Sequence, residues 1–140
     1  MLGPIHQLSL RLCLCLSVTA LPGWAESVVS GEAFEQMSEG KVMRFTQNGR
    51  YYGAEQFYSD RRSTWQYEDG SCVDGIWYEE AGAICFDYED NFPAQCWIFA
   101  ERDDGYFARL RGSSPDAPGQ LQLFSIDEDP LECAGPDLGV

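Results

Sequence analysis

Four cysteines, Cys72, Cys85, Cys96 and Cys133, are the residues of this 140-residue chain best suited to covalent chemistry. The intervals between them hold 12, 10 and 36 residues, with no C-x-x-C pair of the kind used by thioredoxin-type redox sites or zinc knuckles. None has Lys, Arg or His within three positions, so no sequence neighbour is available to stabilise a nucleophilic thiolate. An even number of cysteines in an oxidising compartment forms disulfides instead. Of the three possible connectivities, the expected one pairs Cys85 with Cys96 and Cys72 with Cys133. Cys85 and Cys96 stand symmetrically about Asp90-Asn91, and a hairpin turning there sets them on facing strands. Facing Cβ atoms lie about 4.5–5.5 Å apart, and at the closer sites a disulfide bridges them. The second bond would tie the tail to the strand at 72–79.

Oxidation presupposes export, and residues 1–25 read as a cleavable secretory signal. Arg11 precedes an apolar core, Leu12 to Leu21, and Gly23 and Ala25 are the small residues at −3 and −1 of a cleavage site. The core is too short for a membrane span of about 20 apolar residues. Leu12 and Leu14 precede Cys13 and Cys15, which disfavours lipid attachment there. Cleavage leaves 26–140 as one domain of ordinary size and no membrane span. It also discards His6, the only histidine, and with it any Ser-His-Asp triad, Cys-His dyad or His-containing zinc site.

Carboxylates remain as acid–base candidates, with Glu55, Glu79, Glu80, Asp87 and Glu89 in or beside aromatic strands. A glycosidase-like mechanism needs two acids flanking a cleft, but among 23 acidic residues some pair is inevitable. Asp87–Asn91 lacks the ligand spacing and the glycine of an EF-hand loop. The sequence therefore assigns no catalytic, cofactor-binding or metal residue, and the expectation is a protein that is not an enzyme and carries no cofactor.

Removing Arg11 from the nine basic side chains leaves eight against 23 acidic ones, a net charge of −15. Such a balance argues against nucleic acid, whose phosphates demand a basic patch. It favours solubility and a cationic partner, for which a periplasmic protein is the candidate. Arg61-Arg62, the one adjacent basic pair, is expected at a hairpin tip as solvated charge.

The elements that hold these residues follow from turn signals. Ser30 is placed to cap a helix over about 31–39, with Phe34 and Met37 on one face and Gly40 to end it. From Lys41 onward, Asn48-Gly49, Asp60-Arg61, Asp69-Gly70, Gly82, Asp90-Asn91 and Asp104-Gly105 punctuate aromatic and β-branched runs. Strands are expected near 42–47, 50–58, 63–68, 73–79, 83–88, 95–101, 105–111 and 120–126. Residues 113–119 form a loop, and 127–140 an irregular tail. Short connections make successive strands antiparallel. The expected fold is mainly β, an antiparallel meander of about eight strands forming a small up-and-down barrel or a strongly twisted sheet. The helix would cover one end or edge.

Fifteen aromatic residues lie between Tyr51 and Phe107. They either fill the interior or line a ligand cavity, in which case Trp65, Trp77, Phe86, Tyr88 and Trp97 are the ligand-facing candidates. The segments Cys72-Val-Asp-Gly75-Ile-Trp77-Tyr78, Ile84-Cys85-Phe86-Asp-Tyr88-Glu89 and Cys96-Trp97 carry a resemblance. With Gly53–Tyr58, Arg61-Arg62 and Trp65, they make the chain similar to small exported proteins of alphaproteobacteria with a C-x-x-G-x-W-Y … I-C-F-x-Y-E … C-W core. The resemblance implies a periplasmic or secreted protein and transfers no catalytic residue. The leading functional expectation is a non-enzymatic domain binding a protein partner. The alternative is a lipocalin-like carrier of a small apolar ligand, and a carboxylate-dependent hydrolase stands third.

Overall fold

Hairpin turns organise the chain in the computed structural model, which describes Gly3 and residues 26–135. Asn48 and Gly49 both adopt left-handed φ, 51° and 75°, the geometry whose twist matches a two-residue antiparallel hairpin. After β1 (Ser27–Val28) and α1 (Gly31–Ser38) come β2 (Val42–Gln47), β3 (Arg50–Phe57), β4 (Arg62–Tyr67) and β5 (Cys72–Glu80). β6 (Ala83–Tyr88), β7 (Gln95–Arg102), β8 (Gly105–Leu110) and β9 (Leu121–Asp127) complete the order. The signal segment and its cleavage after Ala25 lie, Gly3 apart, outside the described residues, as does the end of the tail at 136–140.

The meander closes. β2 pairs with both β3 and β9, and β8 with both β7 and β9, so β2 to β9 form an eight-stranded antiparallel barrel. Closure removes the unpaired edges that an open twisted sheet would expose. The register of β2 shifts once against each neighbour, between Phe45 and Thr46 and between Arg44 and Phe45. Such bulges bend a strand and increase its twist, as tight closure requires. β1 extends the barrel wall beside the last turn of β7, pairing Ser27 with Glu101 and Val28 with Ala100.

One end of the barrel is plugged. The Ser30 hydroxyl accepts a hydrogen bond from the Ala33 amide and starts α1, satisfying one of the donors that a helix start leaves free. Phe34, with no solvent exposure, enters the barrel end. Its ring centroid lies 5.4 Å from Phe57, 5.0 Å from Trp77, 6.3 Å from Phe86 and 4.7 Å from Phe99. Arg61 and Arg62 are both exposed at the turn between β3 and β4, as expected, but Arg61 also has a partner. It forms an ion pair with Glu35 of the helix at 3.1 Å, and its guanidinium lies 4.7 Å from the centre of the Trp77 ring. The turn at Ser59–Arg61 thus carries a clamp on the plug.

Two disulfides, Cys85–Cys96 and Cys72–Cys133, form in the expected pairing. Cys85 and Cys96 are directly opposite on β6 and β7. The tail runs along the outer face of β3 and β4, where the Leu131 amide donates to the Gln56 side chain and the Gln66 side chain donates to the Glu132 carbonyl. A second outer cluster fixes the long loop before β9. Glu26 accepts from Arg102 and from Arg109, each at 2.9 Å, while the same arginines donate to the carbonyls of Pro115 and Ser113. The hydrogen bond from Arg109 is the main reason Glu26 stays ionised below the usual carboxylate range.

A cavity at the open end of the barrel

Strand direction decides what lies at the other end. β2, β4, β6 and β8 run away from the helix and β3, β5, β7 and β9 run back, so residues 48–49, 68–71, 89–94 and 111–120 rim the end opposite α1. A cavity of about 650 Å³ opens there. Phe57, Phe86 and Phe99, the ring partners of Phe34, lie among its lining residues and form its floor. The interior is therefore filled at the helix end and hollow at the other.

The aromatic walls depend on two glycines. Gly53 on β3 has an inward position where a Cβ would lie 2.3 Å from the Trp65 ring. Gly75 on β5 faces Tyr88, and a Cβ there would come within 2.7 Å of the Tyr88 ring and 2.6 Å of the Asp87 carbonyl. Both rings lie where the neighbouring strand has no side chain. Phe86 and Tyr88, two residues apart on β6, stack with an interplanar angle of 8°.

Of the five aromatic residues singled out from sequence, Trp65, Phe86, Tyr88 and Trp97 line the cavity. Trp77 does not. It is inward-facing, but it lies at the plugged end between Phe34 and the Arg61 guanidinium. Alternation along β5 gives its face, and only the register of the closed barrel gives its depth. The lining also holds Phe45, Tyr52, Ala108 and Leu121, and the rim contributes Tyr67 and Phe92, which are 41% and 72% exposed.

One wall residue is out of keeping with the rest. Glu55, 2% exposed, projects from β3 between the inward positions of Gly53 and Phe57. Its Oε2 accepts a 2.7 Å hydrogen bond from the Tyr88 hydroxyl, while Oε1 is buried without a partner. Burial pushes its pKa up to about 8, an effect that nearby Ser63 and Tyr88 only partly offset. Tyr88 is in turn held well above the usual phenol range, by burial first and then by the adjacent carboxyl. A buried ionisable group without a full set of partners is costly to the fold, and such groups concentrate at functional sites. The sequence named Glu55 only as one acid among several. The signal that distinguishes it is its phase: it occupies the inward half of the alternation in an aromatic strand.

The disulfide sulfurs of Cys85 and Cys96 lie near Glu80 on the outer wall, but sulfurs bonded to each other offer no thiolate to a metal. No family model matches the chain, and no curated protein or solved structure matches it.

Proposed function

We propose that this protein binds a small, largely apolar molecule inside its barrel and holds it without transforming it. The observation that carries the reading is the cavity of about 650 Å³, with ten aromatic residues in its lining. A volume in the range of about 300–1,000 Å³ with mostly apolar walls and few polar groups suits a ligand of drug-like size. Burying such a ligand yields about 25 cal/mol for each Å² of apolar surface removed from water. The rigid stapled wall lowers the ordering cost of binding. Capture of a cationic protein partner is supported by net charge alone, so the small-molecule reading has the stronger physical support.

The proposed setting is the periplasm or the extracellular medium. Two disulfides are compatible with an exported chain, and the leader-like residues 1–25 support the same reading. Among the described residues no helix is long and apolar enough to cross a membrane.

The test is fluorescence titration with N-phenylnaphthylamine, a neutral dye that brightens in apolar surroundings. Saturable binding of one dye per chain is expected, with quenching of tryptophan emission through Trp65 and Trp97. Ala108→Phe, which places a ring in the hollow, should abolish the signal while far-ultraviolet circular dichroism stays unchanged. Absence of saturable binding, or equal binding by the folded Ala108→Phe variant, contradicts the proposal.

A further inference from the structure

The charge of the cavity narrows the chemistry of what it holds. Among the described residues its lining includes four carboxyl side chains, Glu55, Glu68, Asp69 and Asp90, and no lysine, arginine or histidine. Glu68, Asp69 and Asp90 stand in the connections after β4 and β6, at the entrance, whereas Glu55 lies inside. A mouth of one sign, with low-dielectric walls behind it, concentrates ions of the other sign. The same geometry repels carboxylates, phosphates and sulfates.

The walls favour the same class of ligand. Trp65, Trp97, Tyr52, Tyr67 and Tyr88 all contribute to the lining between rim and floor. Aromatic faces carry negative electrostatic potential and attract ammonium groups, most strongly where water is excluded. The independent observation is Glu55 itself, nearly fully buried, with Oε2 held by Tyr88 and Oε1 without a hydrogen bond among the described residues, although the Ser63 hydroxyl, also unpaired, stands beside the carboxyl. An ammonium N–H placed against Oε1 would supply a donor there and, once the carboxyl ionises, its counter-charge.

Resting on the small-molecule reading above, we propose that the cavity selects an organic amine, a protonated nitrogen on an apolar body, with Glu55 as its buried counter-ion. The free carboxyl is protonated at neutral pH and becomes a carboxylate when the cation binds. Its proton leaves to solvent, so the step balances with one proton released per ligand.

The binding should consequently tighten as pH rises toward about 8, where half of the Glu55 carboxyls are ionised without ligand. Several groups face Glu55 across the cavity. Tyr88 on β6 and Tyr67 on β4 are both held above the usual phenol range. The remaining facing groups are the Tyr52 phenol on β3, the Ser63 hydroxyl and the Trp65 ring on β4, the Asp90 carboxyl at the rim, and Phe45 on the neighbouring β2.

Calorimetric titration with decylamine, decanol and decanoate, matched in chain and differing in head group, tests the assignment. Decylamine should bind about tenfold or more tightly than decanol, the scale of one charge-assisted hydrogen bond, and decanoate most weakly. Glu55→Gln should bring decylamine down to the level of decanol and leave decanol within about threefold of its original affinity. Runs in buffers of different ionisation heat should show one proton released at pH 7 by the wild type and none by Glu55→Gln. Decanol binding as tightly as decylamine, or an amine preference that survives Glu55→Gln, overturns the cation assignment and leaves a cavity that binds neutral molecules. Failure of all three ligands to bind overturns this assignment and the small-molecule reading with it.

Discussion

The Tyr88 hydroxyl donates to Glu55 Oε2 at 2.7 Å, linking β6 to β3 across the hollow of the barrel. The two strands are not neighbours in the wall, since β4 and β5 stand between them. A buried carboxyl and a phenol thus meet where a tightly packed core would have apolar contact. An unpaired buried oxygen of this kind costs about 1–3 kcal/mol. Within a rigid wall, that cost is the physical basis for reading the site as one that a ligand completes.

Glu55 should tilt the pH dependence of stability. Its pKa is about 8 in the folded chain against an ordinary 4.5, so between those values the native state holds a proton that the unfolded state has lost. Its contribution to stability is fully present below pH 4.5 and is lost as pH rises to about 8, beyond which it is level. The slope should approach at most about 1.4 kcal/mol per pH unit, the value for one proton. Glu26 and Asp127, whose pKa values are lowered by Arg109 and Arg44 respectively, act in the opposite sense at acid pH. Urea unfolding of the wild type should show maximal stability near pH 5, and Glu55→Gln should flatten the decline above it.

Phe34 should matter more than any other residue of the helix. Phe34→Ala removes a fully buried ring with four aromatic neighbours, and large-to-small changes of this type cost about 3–5 kcal/mol. Chemical denaturation measures the loss. A cost below about 1 kcal/mol would mean that α1 does not plug the barrel.

The two glycines beneath the rings give a third prediction. At Gly53 an added methyl group meets the Trp65 ring and the Gln66 carbonyl, the latter at 2.7 Å. Gly53→Ala should therefore cost about 1–3 kcal/mol and shift Trp65 emission as the indole is pushed toward the mouth. Unchanged stability and an unchanged spectrum would show that the wall yields at this point.

The disulfides should separate stability from binding. Chain-entropy reasoning assigns about 4 kcal/mol to Cys72–Cys133 and about 3 kcal/mol to Cys85–Cys96, which close loops with separations of 61 and 11 residues. Replacing Cys72 and Cys133 together by alanine should lower the urea midpoint and leave dye affinity within about threefold, because this bond ties the tail to the outer face. A large loss of affinity in the folded variant would tie the tail to the cavity.

Strands and cysteine pairing were legible from sequence for local reasons. Asn48-Gly49 and Asp69-Gly70 mark their hairpins, and Cys85 and Cys96 fall opposite one another once Asp90-Asn91 turns the chain. Closure was not legible, because the pairing of β2 with β9 joins strands at the two ends of the meander. Depth inside the barrel was equally hidden. Trp77 and Trp97 both point inward, yet register places Trp77 under the helix and Trp97 in the cavity. Glu55 was obscured by number, as one of 23 acids, although its inward phase between Gly53 and Phe57 was present in the sequence.

The two-dimensional ¹⁵N–¹H spectrum of the tryptophan side chains tests the hollow barrel most directly. Trp65 and Trp97 line the cavity, and Trp77 lies beyond its floor against Phe34. On titration with decanol the indole signals of Trp65 and Trp97 should move in a saturable way while that of Trp77 stays in place. No movement of Trp65 and Trp97, or movement of Trp77 alone, would contradict the account of a ligand-binding barrel open at one end.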